Sequence, residues 1–422
     1  MRLLYTFLFY LFVPFILLRL LWRGVRSRGY WQRWGERFGF FPALPVSQCI
    51  WIHAVSMGEV QAAVPLIQAL LIRFPDQAVL VTTMTPTGSQ RVREVFADKV
   101  LHVYLPYDLP GAVARFLNRT QPRLLILMET ELWPNVLLAC QARAIPVILA
   151  NARLSVGSAA GYQRIAGLTR TMLAGVTTVA AQTSVDAARF IELGVPATKV
   201  QVTGSIKFDT RLPADVSEKA LVLRRQWGTD RLVWIAASTH EGEEAAVLEA
   251  FSELRGSEDA HLKNLVLVLV PRHPERFNRV ASLCQQRGWV TVRRSEGGLC
   301  TPETAVYLSD TMGELPVLYA ACDVAFVGGS LVPIGCHNLL EPAAVALPVI
   351  MGPHVFECAE ICRRLLEAQA AQQVDNAGQL AVAVKRYLSD ATLRLETGEK
   401  GRLFVQQNRG ALQRLLAIID ET

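Results

Sequence analysis

From residue 49 the chain alternates short apolar runs with stretches of helical period. CIWIHA is followed by GEVQAAVPLIQALL, AVLVTT by PTGSQRVREVF, LLILME by WPNVLLACQA, and PVILAN comes next. The pattern restarts at LVWIAAS (232–238) and runs on through EEAAVLEAF, NLVLVLVP, PERFNRVASLCQQ, DVAFVGGS, NLLEPAAVA and LPVIMG. Strands alternating with amphipathic helices predict βαβ units and therefore parallel sheets. Two such series predict an α/β chain of two facing, Rossmann-like, doubly wound domains. The boundaries expected are 23–207 for the first, a polar linker at 208–230 containing Pro213 and Gly228, and 231–422 for the second, with the last helix packing back on the first.

The start of the chain has a different pattern. Residues 3–18, LLYTFLFYLFVPFILL, carry no charge, and the apolar stretch continues past Arg19 to Trp22, nearly the length a bilayer span requires. Residues 1–22 therefore read as a membrane anchor. Arg23, Arg26, Arg28, Arg33 and Arg37 follow it, and a basic flank on this side predicts that the rest of the chain stays in the cytoplasm. No small-residue cleavage site follows the apolar run, which favours a retained anchor over a removed signal. Pro14 and Arg19 leave open a segment lying in one leaflet. In YWQRWGERFGFF (30–41) aromatic rings interleave with arginines, a composition suited to the lipid headgroup zone.

Composition narrows the class. With 51% hydrophobic and 19% charged residues in 422, the chain has apolar material for two full cores, and disordered or fibrous classes are excluded. A formal charge of +6 is too small for bulk nucleic-acid packaging but allows local basic patches that meet phosphate or anionic lipid. The eight cysteines show no CxxC pair or zinc-finger spacing and read as reduced core residues of a cytosolic protein.

In open parallel sheets ligands bind beyond the carboxyl ends of strands, beside helix N-termini. WIHAVSMGEV (51–60) puts His53, Ser56 and Glu59 at such an end. WIAASTHE (234–241) repeats the spacing, Ala236, Ser238 and Glu241 matching Ala54, Ser56 and Glu59. Ser56-x-x-Glu59 and Ser238-x-x-Glu241 both fit a capping box, in which the side chains only satisfy free amides. Spacing alone does not separate capping from catalysis.

The order and spacing of several clusters do. HAVSMGEV (53–60), METELWPN (128–135), NARLS (151–155), TGSIKFD (203–209), STHEGEE (238–244), PRHPERF (271–277), MGEL (312–315) and FVGGSLVPIGCHNLLEPAA (326–344), together with the anchor, resemble the 3-deoxy-D-manno-octulosonic acid (Kdo) transferase family of lipopolysaccharide synthesis. The resemblance covers nearly the whole chain. It implies the two-domain glycosyltransferase architecture called GT-B, and an inverting transfer of Kdo from CMP-Kdo to a lipid A precursor at the cytoplasmic face of the inner membrane.

What the resemblance implies about residues can be set beside their own chemistry. Glu59 is implied to be the general base, a task that suits a carboxylate tuned upward by burial. Glu129 is implied to support the transition state, and Lys207 to meet charge developing on the leaving phosphate. Pro271 and Arg272 follow an apolar strand, and the arginine fork can hold a pair of phosphate oxygens. Gly328, Gly329 and Ser330 resemble a phosphate-cradling turn, although paired glycines after a strand also mark tight packing. Asn338, Leu339 and Leu340 begin a helix whose amides can meet an anion. Glu341 is implied to reach ribose hydroxyls, while Met312, Gly313 and Glu314 would border the base.

Ala237, Ser205, Cys336, Ala346 and Glu357 depart from the family pattern; at 336 and 346 glycine is the frequent residue. No acidic metal pair lies beside a glycine turn, and His273, His337 and His354 lack ligand spacing, so the reaction is expected to need no metal, and no cofactor or nucleic acid is expected as partner. The alternatives are a GT-B transferase using a nucleotide diphosphate sugar, a sugar-nucleotide epimerase on the same fold, and a catalytically silent, membrane-tethered nucleotide-binding scaffold. A Rossmann dehydrogenase is disfavoured, since no G-x-G-x-x-G follows the first strand.

Overall fold

The computed structural model describes residues 2–44, 48–209, 212–356 and 358–422; Glu357, one of the departures named above, lies outside them. The chain forms two compact units, one of residues 1–210 with 408–422 and one of residues 211–407. Both are α/β with wholly parallel sheets.

The first unit holds β1 (Ile50–His53), β2 (Val79–Thr83), β3 (Leu101–Tyr104), β4 (Leu124–Met128), β5 (Val147–Ala152), β6 (Thr178–Ala181) and β7 (Val200–Val202) in the order β3-β2-β1-β4-β5-β6-β7. β1, β2, β4 and β5 are buried at every position, as strands covered by helices on both faces must be. The reversal of strand order falls between β1 and β4. Trp51 of β1 is fully buried against Phe116, ring centroids 4.7 Å apart, a contact worth about 1 kcal/mol beyond area burial.

The second unit repeats the plan with β8 (Val233–Thr239), β9 (Val266–Pro271), β10 (Thr291–Arg293), β11 (Val306–Leu308), β12 (Val324–Val327), β13 (Val349–Met351) and β14 (Ala371–Gln373) in the order β10-β11-β9-β8-β12-β13-β14. Here the reversal falls between β8 and β12.

Residues 208–230 include the helix Val216–Trp227, whose Val216, Ala220, Leu223 and Trp227 are buried. Its apolar stripe belongs to the core of the second unit. The final helix, Ala411–Asp420, belongs to the first unit, with Ala411, Leu415, Ile418 and Ile419 in that core. Asp209 fixes its start by accepting the Gly410 and Leu412 amides, both at 2.6 Å.

The helix Arg2–Arg26 is long and apolar enough to cross a bilayer. One stripe of it nevertheless lies on the first unit: Phe9, Val13, Ile16, Leu17 and Leu20 pack against Tyr107, Leu109 and Ala112. At its start Arg2 Nε donates to Asn135 Oδ1 at 3.3 Å, and Thr6 reaches the same side chain. The opposite stripe, including Leu4, Phe7, Leu11, Phe15, Leu18 and Trp22, is exposed. The aromatic and arginine stretch that follows departs from the headgroup expectation. Arg37 is 1% exposed, donates to Met84 O and sits 4.2 Å over the Tyr104 ring, while Trp34 and Phe38 pack on the helix stripe. Trp31 and Phe40 stay exposed. Carbonyl and ring partners favour a buried guanidinium here, although its Nε has no hydrogen-bond partner.

Candidate functional site

The first unit gathers acidic residues where its strand order reverses. Glu59 follows β1, and Glu129 and Glu131 follow β4. The Ser56 box forms as a cap: Ser56 Oγ accepts the Glu59 amide at 3.4 Å, and Glu59 Oε2 accepts the Val55 amide at 2.9 Å. Ser56 Oγ also lies 3.1 Å from Glu59 Oε1. A carboxylate has about four lone-pair sites, so these contacts hold Glu59 in one rotamer and still leave it room to accept a proton.

Burial raises the proton affinity of Glu59, and the charge of Glu129 adds to it. Glu131, to which the sequence assigned no role, is pushed up to about 7 by burial, with Glu59 and then Glu129 contributing. The three carboxyls therefore act as one interacting set. Glu129 has φ of +58°, a left-handed conformation that costs a non-glycine residue roughly 1–2 kcal/mol and turns the chain sharply at the end of β4. Lys207 reaches this set: its Nζ lies 3.6 Å from Glu129 Oε1, both side chains about one-third exposed. Its turn is tied down by Asn151, whose Oδ1 accepts the Ile206 amide at 3.2 Å.

His53 has no place in the set. It is fully buried, its Nδ1 lies 2.9 Å from Thr82 Oγ1, and burial lowers its pKa to about 4. It is a neutral core residue.

In the second unit Arg272, His240, His337 and Glu341 come together at the carboxyl edge. Arg272 follows β9 and its amide donates to Thr239 O at 3.0 Å; among the described residues its guanidinium forms no ion pair. The Nε2 atoms of His240 and His337 are 2.7 Å apart with the rings stacked, and His273 meets His240 edge-on. Burial and then Arg272 lower the His337 pKa to about 4, so this pair shares at most one proton between neutral rings. Glu341 is raised by burial and held by Asn338 Nδ2 at 3.0 Å. Leu339 and Leu340 are buried and position that short helix. Sequence spacing missed His240, although STHEGEE contains it.

Two expectations are corrected here. The turn at Gly328, Gly329 and Ser330 does not present open amides: Glu243, 0% exposed, accepts Gly329 N at 2.7 Å, Ser330 N at 3.0 Å and Leu331 N at 2.9 Å. An internal carboxylate fills the nest that a phosphate would need. Gly328 serves packing instead, since a Cβ there would lie 2.5 Å from Ser238 O. Nor does Ser238-x-x-Glu241 cap a helix. Glu241 is exposed and pairs with Arg279, and the helix starts at Glu243.

Met312 is 61% exposed and Gly313 has φ of +87° with open space around it. Glu314 is held by Arg294, its Oε1 2.8 Å from Nη2, and this pairing keeps its carboxyl below the usual range. Met312 and Gly313 are thus open to a ligand, whereas Glu314 shapes the loop. Pro271 ends β9 and is buried. Cys336 and Ala346, where the family pattern favours glycine, have φ of +67° and +60°, which is why glycine suits those positions.

Residues 32–210 match the family model described as 3-deoxy-D-manno-octulosonic-acid transferase (kdotransferase). A 3-deoxy-D-manno-octulosonic acid transferase of Haemophilus influenzae is 44% identical over 99% of this chain and 98% of its own. The chain belongs to the Kdo transferase family. A second member, from Bordetella pertussis, is 39% identical over 97% of this chain and 96% of its own. Among solved structures, a UDP-GlcNAc 2-epimerase from Neisseria meningitidis bound to UDP-GlcNAc covers 89% of this chain and 100% of its own with a TM-score of 0.60 at 12% identity, a likeness of fold. This Kdo transferase family member is a glycosyltransferase of GT-B-like α/β fold, so the silent-scaffold alternative is set aside.

Proposed function

We propose that the chain transfers Kdo from CMP-Kdo to the disaccharide headgroup of a lipid A precursor at the cytoplasmic face of the inner membrane, with inversion and with Glu59 as general base. The observation that carries the reading is the acidic set at the strand-order reversal of the first sheet, where Glu59 is clamped by Val55 and Ser56 while its proton affinity is raised. A base poised nearer neutrality transfers protons more effectively.

In this mechanism the acceptor hydroxyl gives its proton to Glu59 as its oxygen bonds to the anomeric carbon of Kdo. The bond from that carbon to the phosphate oxygen of CMP breaks, and CMP leaves with the electron pair. In the first unit Glu129 holds Lys207, which is assigned to charge developing in the transfer; in the second unit Arg272 is assigned to the phosphate of the nucleotide. Arg272, Asn338 and Glu341, with Met312 and Gly313, are the groups assigned to the nucleotide; the glycine turn is not among the phosphate ligands. The exposed stripe of the helix Arg2–Arg26 is assigned to lipid, lying in one leaflet rather than spanning.

The test is incubation of the purified full-length protein with CMP-Kdo and a bisphosphorylated lipid A precursor, reading mass added per lipid, beside parallel reactions with UDP-sugars. Mass corresponding to Kdo only with CMP-Kdo is expected. Glu59→Gln keeps a capping side chain, so it should fold and bind CMP while turnover falls by about 10²–10⁴. Normal turnover in that variant removes Glu59 from the mechanism, and transfer only from a UDP-sugar replaces the donor.

A further inference from the structure

Three of the eight cysteines, Cys336 and the pair Cys358 and Cys362 farther along the chain, converge in the second unit. Cys336 lies in the loop after β12, Cys358 immediately precedes the helix Ala359–Glu367, and Cys362 is within that helix. Their sulfurs all lie within 4.8 Å of one another, and those of Cys358 and Cys362 are 3.3 Å apart. Cys336 and Cys362 are buried and Cys358 is half-buried. No disulfide joins these three cysteines.

Geometry fits a soft cation better than chance packing of small apolar groups. A Zn–S bond of about 2.3 Å separates the sulfurs of a tetrahedral or trigonal site by about 3.8–4.0 Å, inside the spread observed here. Cys358 at the cap and Cys362 within the helix supply two ligands four residues apart, and Cys336, with φ of +67°, supplies the third from a separate loop. Holding a non-glycine residue in that conformation is unfavourable, so a compensating bond at the thiol gives the position a physical rationale. Cys358 is the one of the three that is partly exposed.

We propose that Cys336, Cys358 and Cys362 form a three-thiolate site for a thiophilic d¹⁰ cation of the Zn(II) class, pinning the loop that continues into His337 and Asn338 to the helix Ala359–Glu367. The role is structural and does not depend on the transferase reading, and no step of the reaction runs through the ion.

The test uses full-length protein, kept reduced and stripped with chelator, titrated with Co(II) and then Zn(II). A thiolate-to-Co(II) charge-transfer absorption is expected, saturating at one ion per chain, displaced by Zn(II), with protons released and the melting temperature raised in proportion to occupancy. Cys336→Gly relieves the left-handed strain and should fold normally; it and Cys358→Ser should each lose the absorption and weaken Zn(II) binding by about 100-fold or more. Cys300→Ser should change neither. Absence of the charge-transfer band in the wild-type chain, or its persistence in Cys336→Gly, overturns the proposal.

Discussion

The carboxylate of Glu243 lies 2.7 Å from the backbone nitrogen of Gly329 and also accepts the amides of His240, Ser330 and Leu331. One buried side chain thus closes the loop after β12 onto the loop after β8. Removing it in Glu243→Ala leaves four amides without that acceptor, each unsatisfied buried donor costing about 1–3 kcal/mol before water enters. A loss of at least about 3 kcal/mol is expected, seen as a drop of roughly 6–12 °C in the melting temperature of the unit. An unchanged melting curve would show that the turn is held by other means.

Glu131 should make stability depend on pH in a defined direction. Its folded-state value of about 7 lies above that of an unfolded glutamate, so the folded chain binds the proton more tightly. Its contribution is complete below about pH 4.3 and disappears as pH rises through 7. Glu131→Gln is therefore expected to be stabilising by roughly 1–3 kcal/mol at pH 8, allowing for solvent screening, and close to neutral at pH 4.5. Denaturant titrations at the two pH values check this, and an equal effect at both contradicts it.

Arg272 has no ionic partner among the described residues, so its loss should leave the fold alone. Arg272→Ala is expected to weaken CMP binding about 10–100-fold, as removal of a charge-assisted pair does, with melting unchanged within about 0.5 kcal/mol. Calorimetric titration of CMP reads the first quantity and denaturant unfolding the second. Equal CMP affinity in both proteins would move the phosphate elsewhere.

The amphipathic burial of the helix Arg2–Arg26 bears on its membrane geometry. Phe9, Val13 and Leu20 face protein while Leu4, Leu11, Phe15 and Trp22 do not, the division expected of a helix lying in one leaflet. A cysteine introduced as Leu3→Cys should resist a membrane-impermeant thiol reagent applied outside intact spheroplasts and react once they are permeabilised. Labelling from outside would establish a span.

Local rules made much of this chain legible before its fold. Strand–helix alternation depends on residues a few positions apart, and so do the apolar runs of β1, β4, β8 and β9 and the Ser56–Glu59 cap; each formed where its period placed it. Ser238–Glu241 obeyed the same spacing and failed, because Glu243 and Glu244 compete for the same loop: Glu243 takes the His240 amide and Glu244 the Thr239 hydroxyl.

The sequence by itself determined two parallel α/β sheets, an apolar first helix and the chemical types available at the strand ends. Tertiary structure alone decided which of those groups meet. Reversal of strand order brought Glu131 to Glu59 and His337 to His240 and filled the glycine turn with a carboxylate, while the pairing of β12 with β13 gathered Cys336 with Cys358 and Cys362. The reason is physical: backbone periodicity is encoded over one or two turns of chain, whereas side-chain convergence depends on which strands become neighbours, and that is settled by burial summed over the whole sheet.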